Sequence, residues 1–259
     1  RKISIYCLST LVAICTLGLF IVIVSIISQQ FSLGEKSAQD YLKKAKADYQ
    51  LKDFDKALKD YNKAIKINPD YAKAYNDRGF FYLKQNNQNQ ALEDFNQAIQ
   101  LNPDFVKAYN NRGSLYKKQG KFEQALEDFN QAIKINPDNA KAYNNRGFVY
   151  VKQGKFGKAL NNFNQAIQLN PDYGQAYHNR GLIYAEQGKF EQALEDFNQA
   201  IQLNPNHAEA YATRGFLYKM KGNQEQAIQS LKKAAILLKQ ERKTEKYKRV
   251  QQTLNQLRQ

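Results

Sequence analysis

The chain has 259 residues, 24% of them charged and 42% hydrophobic, with a formal net charge of +15. Its two cysteines, Cys7 and Cys15, both lie in an apolar N-terminal run, so the rest of the chain has no disulfide framework and no thiol chemistry. The positive charge points to an acidic partner, a nucleic acid or a membrane surface, and its placement separates these. Residues 232–259 carry nine Lys or Arg against two Glu, and Arg1 and Lys2 add two more charges, leaving +6 for residues 3–231.

Residues 3–28 contain no charged side chain. As a helix they would span about 39 Å, more than the ~30 Å hydrocarbon core of a bilayer, so the run is expected to be a transmembrane anchor (residues 1–28). A cleaved signal peptide is the alternative, but its apolar region would be shorter and would end at small residues, which Ile26-Ile27-Ser28 supplies poorly. Arg1 and Lys2 abut the run, whereas Lys36 on the other side follows Glu35. This places the N-terminus in the cytoplasm and the remainder of a single-pass protein outside it. A polar linker, residues 29–37, follows.

From residue 38 the chain repeats itself every 34 residues. Asn-Pro-Asp stands at residues 68–70, 102–104, 136–138 and 170–172, and Asn-Pro-Asn at 204–206, so one period absorbs all five prolines. Within residues 106–139, Tyr109, Arg112, Gly113 and Tyr116 follow helical spacing, and Ala125, Leu126, Phe129, Ala132 and Ile133 follow it again after Gly120. Each unit therefore reads as two helices. Gly120 suits a left-handed helix end, and Pro137 is expected in the first turn of the following helix with Asn136 as its cap. Small residues at Gly113, Ala125 and Ala132 allow close helix approach, and Tyr109, Tyr116 and Phe129 fill the space between. The units read as residues 38–71, 72–105, 106–139, 140–173, 174–207 and 208–241, an all-α solenoid.

The pattern Tyr109, Gly113, Tyr116, Ala125, Phe129, Ala132, Pro137 resembles the tetratricopeptide repeat (TPR). It recurs as Tyr75, Gly79, Tyr82, Ala91, Phe95, Ala98, Pro103, and again through Tyr143 and Tyr177 up to Pro171 and Pro205. A degenerate first copy runs Tyr41, Ala45, Asp48, Ala57, Tyr61, Ala64, Pro69, and a last copy runs Tyr211, Gly215, Tyr218, Ala227, Leu231, Ala234. Terminal copies are expected to be atypical. The resemblance, of a membrane-anchored, bacterial-type TPR protein, implies a right-handed superhelix of helix-turn-helix units whose concave groove holds an extended peptide or partner segment.

On the first helix of each unit, residues opposite the Tyr-Gly-Tyr stripe would line that groove. Columns at 34-residue steps are Asn111, Asn145 and Asn179; Asn76, Asn110, Asn144 and His178; and Phe80, Ser114, Phe148, Leu182 and Phe216. Two lysine columns join them, Lys73, Lys107 and Lys141, and Lys84, Lys118 and Lys152, which later give way to Gln175 and Glu209 and to Glu186 and Met220. Side-chain amides offer one acceptor and two donors and match an extended peptide backbone, although an exposed asparagine is equally what a soluble chain presents. Some TPR proteins clamp a C-terminal carboxylate with lysines and asparagines, but the asparagine expected just after the small residue is here Phe80, Ser114, Phe148 or Leu182.

After the last unit, Tyr247, Val250, Leu254 and Leu257 form an apolar stripe on a basic helix, residues 242–259, read as the cap a solenoid needs. Its basic face also fits anionic lipid or an acidic partner. No metal-ligand spacing surrounds His178 or His207, no phosphate-cradling glycine loop occurs, and the Glu-Asp pairs recur with the period as solvated helix faces, so no enzyme activity, cofactor or metal is expected. The recurrent Arg78, Arg112, Arg146, Arg180 and Arg214 are candidates to pair with Asp94, Asp128 and Asp196. These features point to a non-catalytic membrane-anchored scaffold that binds a protein or extended peptide with acidic residues. The alternatives are a nucleic-acid- or anionic-surface-binding helical repeat, against which the tail placement of the charge argues, and the adaptor part of an enzyme whose catalytic domain lies elsewhere.

Overall fold

A computed structural model describes residues 36–257. The expected membrane anchor falls outside the described residues; among them, no helix is long and apolar enough to cross a membrane. Among the described residues thirteen helices run in order: α1 (Ala38–Gln50), α2 (Phe54–Ile67), α3 (Ala72–Lys84), α4 (Gln88–Leu101), α5 (Val106–Lys118), α6 (Phe122–Ile135), α7 (Ala140–Lys152), α8 (Phe156–Leu169), α9 (Gly174–Glu186), α10 (Phe190–Leu203), α11 (Ala208–Met220), α12 (Gln224–Gln240) and α13 (Thr244–Gln256). Each 34-residue unit holds one antiparallel pair, and the second helix of each pair packs on the first helix of the next.

The punctuation works as the sequence demands at one end and differently at the other. Gly120, Gly154, Gly188 and Gly222 turn the chain with φ between +71° and +77°, while Lys52, Asn86 and Arg242 take the same left-handed conformation without glycine. At the other turn Asn136 is not the N-cap of the next helix. It ends α6 in extended conformation, its Oδ1 accepts from the Asp138 N–H at 3.0 Å, and α7 starts only after Asn139, whose side chain accepts from the Ala142 N–H. Pro137 therefore lies in the turn rather than in the helix, because the asparagine side chain stabilises a bend two residues long before a new helix begins. The same contact recurs at Asn68, Asn102, Asn170 and Asn204.

Within a pair, the small-for-large jigsaw is tight. A Cβ added at Gly113 would lie 2.9 Å from Phe129 Cε1, and the equivalent distance is 2.7 Å at Gly147. Phe95, Phe129 and Phe163 are fully buried against these glycines. The first unit uses Ala45 and Tyr61 instead, and meets the second through Tyr49, Phe54 and Phe81, whose rings stand about 6 Å apart. At the other end α13 buries Val250 and Leu254 on Leu231, Leu237 and Leu238, with Tyr247 and Leu257 beside them, in the way each preceding first helix packs on its neighbour.

The recurrent arginines knit the stack together. Arg112 donates from Nε and Nη2 to both oxygens of Asp128 at 3.0 and 2.7 Å, and from Nη1 to Asn96 Oδ1 of the preceding unit at 2.7 Å. Its guanidinium lies between the rings of Tyr109 and Tyr116. Arg78 and Arg180 repeat the arrangement with Asp94 and Asp196, while Arg146 and Arg214 find Asn162 and Ser230 in place of the carboxylate. The paired charges and periodic contacts assign these acids to structure.

Candidate functional site

Successive first helices from α3 to α11 touch one another, closer than successive second helices do. The stack therefore curves with its first helices inside, which puts the groove columns on the concave face. Lys73, Lys84, Lys107, Lys118, Lys141 and Lys152 are exposed there, with Phe80 and Leu182 about 40% exposed and Ser114, Phe148 and Phe216 half-buried.

The asparagine columns do not stand free on that face. Asn76, Asn110, Asn111, Asn144, Asn145 and Asn179 are all buried, because neighbouring first helices close over them. Asn111 Nδ2 donates to Asn76 Oδ1 and Asn179 Nδ2 to Asn144 Oδ1, each at 2.9 Å. Asn145 Oδ1 accepts from Lys117 Nζ at 2.8 Å, and Asn110 Nδ2 turns back to the Val106 carbonyl. Apart from Asn110 these amides join unit to unit, so replacing them by alanine is expected to cost stability; each buried partner left unpaired costs about 1–3 kcal/mol.

Charge is concentrated in the first half of the groove. Asp77 sits there buried, with Lys46 Nζ at 2.6 Å and Lys107 Nζ at 3.2 Å. Lys117, which flanks the packing stripe and lies outside the groove columns, stands over the Phe148 ring at 5.0 Å. Burial, and then the neighbouring Lys141, pull its ammonium down to about 8, and Lys141 is itself lowered by burial and by Lys107. Lys117 has no carboxylate within 4 Å among the described residues. In the second half, Glu209 is held by Lys243 at 2.6 Å and Lys246 at 2.9 Å from the cap, which bring its carboxyl to about 2 although burial works against them. The sign change expected along the groove is thus cancelled at Glu209 by the basic face of α13.

His178 and His207 meet with ring centroids 4.8 Å apart, a proximity not visible from their spacing as metal ligands. Among the described residues no group of three His, Cys, Asp or Glu is placed to hold a metal. Asn144 and Tyr173 hold the same two positions one unit earlier, where Asn144 Nδ2 donates to the Tyr173 hydroxyl at 3.4 Å. Burial, and secondarily His207, push His178 down to about 4; Glu209 opposes this and Lys246 adds to it. The unfolded chain binds this proton near pH 6.5 and the folded chain only near pH 4. Stability from the neutral ring is therefore full above pH 6.5 and lost as pH falls toward 4, on the order of 3 kcal/mol at most. His178→Asn, which restores the residue of the other units, is expected to lose less of its urea midpoint between pH 7 and pH 4.5 than the parent. Equal losses would mean that this ring does not set the acid response.

Family comparisons agree with this geometry. Models described as TPR repeat match residues 45–86, 82–120, 113–154 and 149–188, and models described as tetratricopeptide repeat match 174–207 and 197–229. The chain is a tetratricopeptide repeat protein. A search of curated proteins found no match. Among solved structures, this TPR chain is similar to YrrB, described as a TPR protein with an unusual peptide-binding site, at 27% identity over 68% of this chain and 91% of that one, with a TM-score of 0.51. It shares its fold with a chain of the APC/C hetero-tetramer Cut9-Hcn1, at 18% identity and a TM-score of 0.73, covering 83% of this chain but only 43% of that one. It also shares it with pilF of Pseudomonas aeruginosa, at 17% identity, a TM-score of 0.69, and coverage of 83% and 97%.

Proposed function

We propose that this TPR protein is a non-catalytic scaffold that holds an extended, acidic segment of a partner protein along the first half of its concave face. The observation that carries this is Lys117, a half-buried ammonium beside Lys141 that meets the Asn145 amide and the Phe148 ring but has no carboxylate partner among the described residues. Burying an unpaired cation costs stability, and an anionic ligand would offset that cost. Lys118, Lys141 and Lys152 extend the same charge along the face, and Phe80 and Phe148 offer apolar floor between them. The peptide-binding description of YrrB is consistent with this use of the fold.

A photo-crosslinking residue at Phe148, on the concave face, is expected to label a bound acidic peptide, whereas the same residue at Lys134 on α6, in the outer layer, is expected not to. Labelling from Lys134 alone would move the site to the convex face.

Residues 3–28 are proposed to tether the solenoid to a membrane, with the repeats outside the cytoplasm; their uncharged length supports this. The full chain should then remain with membranes in carbonate, and protease outside sealed spheroplasts should digest the repeats. Carbonate release would remove the tether, and protection from protease would reverse the orientation.

A further inference from the structure

At the C-terminal end of the concave face, α9, α11, α12 and α13 enclose a cavity of about 200 Å³. Its walls are Ala212, Phe216, Leu238 and Val250, with Thr213, Glu209, Lys246 and Arg249 at its polar side. Three features distinguish it from an ordinary packing gap. A dry apolar cavity of about 150 Å³ accommodates a benzene ring, so this one takes a side chain of leucine to phenylalanine size. His178 lines it, is only 6% exposed, and its Nε2 has no hydrogen-bond partner among the described residues, an uncommon state for a buried polar atom. Arg249 stands over the Phe216 ring at 5.4 Å with no carboxylate within 4 Å among the described residues, whereas the neighbouring Lys246 is taken up by Glu209.

We infer that this cavity is a side-chain pocket for the partner peptide, taking a bulky apolar residue while an adjacent Asp or Glu of the peptide meets Arg249. The inference rests on the concave face being the binding surface and adds what the lysine columns leave open, a selective anchor at one end. The cap helix thereby has a second role. It supplies Val250, Lys246 and Arg249 to the pocket, and through its lysines it neutralises Glu209, which would otherwise repel the acidic residue beside the anchor. An arginine offers a forked donor to that carboxylate, and its placement on an aromatic ring keeps the fork in position.

The test uses two fluorescein-labelled acidic decapeptides that differ only at one position, Phe or Ala, flanked by Glu, titrated against the full chain in detergent. The Phe peptide is expected to bind about tenfold to a hundredfold more tightly, the range given by burying one such side chain. Thr213→Phe, which fills the cavity from a half-buried position, is expected to erase that advantage without weakening the Ala peptide. Arg249→Gln, on an exposed part of α13, is expected to weaken the Phe peptide at least about fivefold and to remove its preference for Glu over Gln beside the anchor. Circular dichroism confirms the fold of both variants. Equal binding of the two peptides, or an advantage that survives both variants, overturns the pocket. If the Ala peptide still binds and responds to the concave lysines, the groove stands without the pocket; if the Phe advantage persists while those lysines have no effect, the pocket stands without the groove. Binding of neither peptide overturns both.

Discussion

Arg112→Ala is expected to destabilise the solenoid by about 3–5 kcal/mol, the cost of removing one partner from a buried ion pair. The substitution leaves Asp128, 3% exposed, without its two charge-assisted bonds, strips Asn96 of its donor, and removes a cation from between Tyr109 and Tyr116. Because one guanidinium touches α4 and α6 as well as its own helix, the loss falls on an interface between units as well as within one. In a stack stabilised by nearest neighbours, the unfolding transition should broaden or split. The chain supplies its own control. Units containing Arg146 and Arg214 do without the carboxylate, using Asn162 and Ser230, so Asp128→Asn should cost no more than about 1.5 kcal/mol, the worth of an ordinary hydrogen bond. Denaturant melts of the two variants measure this directly, and equal losses would show that the charge, rather than the arginine's bridging, is what holds the units.

Ending the chain at Arg242 is expected to have a second large effect, a lower melting temperature together with concentration-dependent self-association. Val250 and Leu254 are 1% and 2% exposed, and losing their burial alone forfeits about 3–6 kcal/mol. The truncation also uncovers Leu237, Leu238 and Ala235, an apolar face of the kind that pairs with a second copy. Light scattering and thermal melts at two concentrations report both effects; a monomeric truncated chain with an unchanged melt would show that α13 is not a cap.

The fold was legible in the sequence because one 34-residue period carries the tyrosines, glycines, alanines and prolines that make every interface, and each unit meets the next in the same way. The polar face of each first helix was legible too, since Lys107 and Lys118 are exposed and Ser114 is half-buried. What a single helical wheel misses is the neighbouring helix. Asn110 and Asn111 point inward by angle, yet curvature brings α3 and α7 close enough to bury them; the Asn111 amide bonds across units and that of Asn110 turns back to its own helix instead of facing solvent. Lys117 escapes the same wheel at about 80° from Tyr109, on the border of the packing stripe, where burial alters its charge most. The contact of His178 with His207 depends on a turn residue 29 positions on, and Asn144 with Tyr173 was the periodic precedent for it.

The most direct test of the concave face as an acidic-peptide site is titration of one acidic peptide against the parent chain and against Lys118→Glu, Lys152→Glu double-substituted protein, at low and moderate salt. Lys134→Glu on α6 serves as the outer-face control. Both concave lysines are exposed and have no carboxylate within 4 Å among the described residues, so the fold should be retained. Reversal should weaken the acidic peptide at least about tenfold at low salt, with the difference shrinking as salt rises, and the outer-face variant should match the parent. Unchanged affinity in the concave double variant, or an equal loss in the Lys134 variant, would contradict the account.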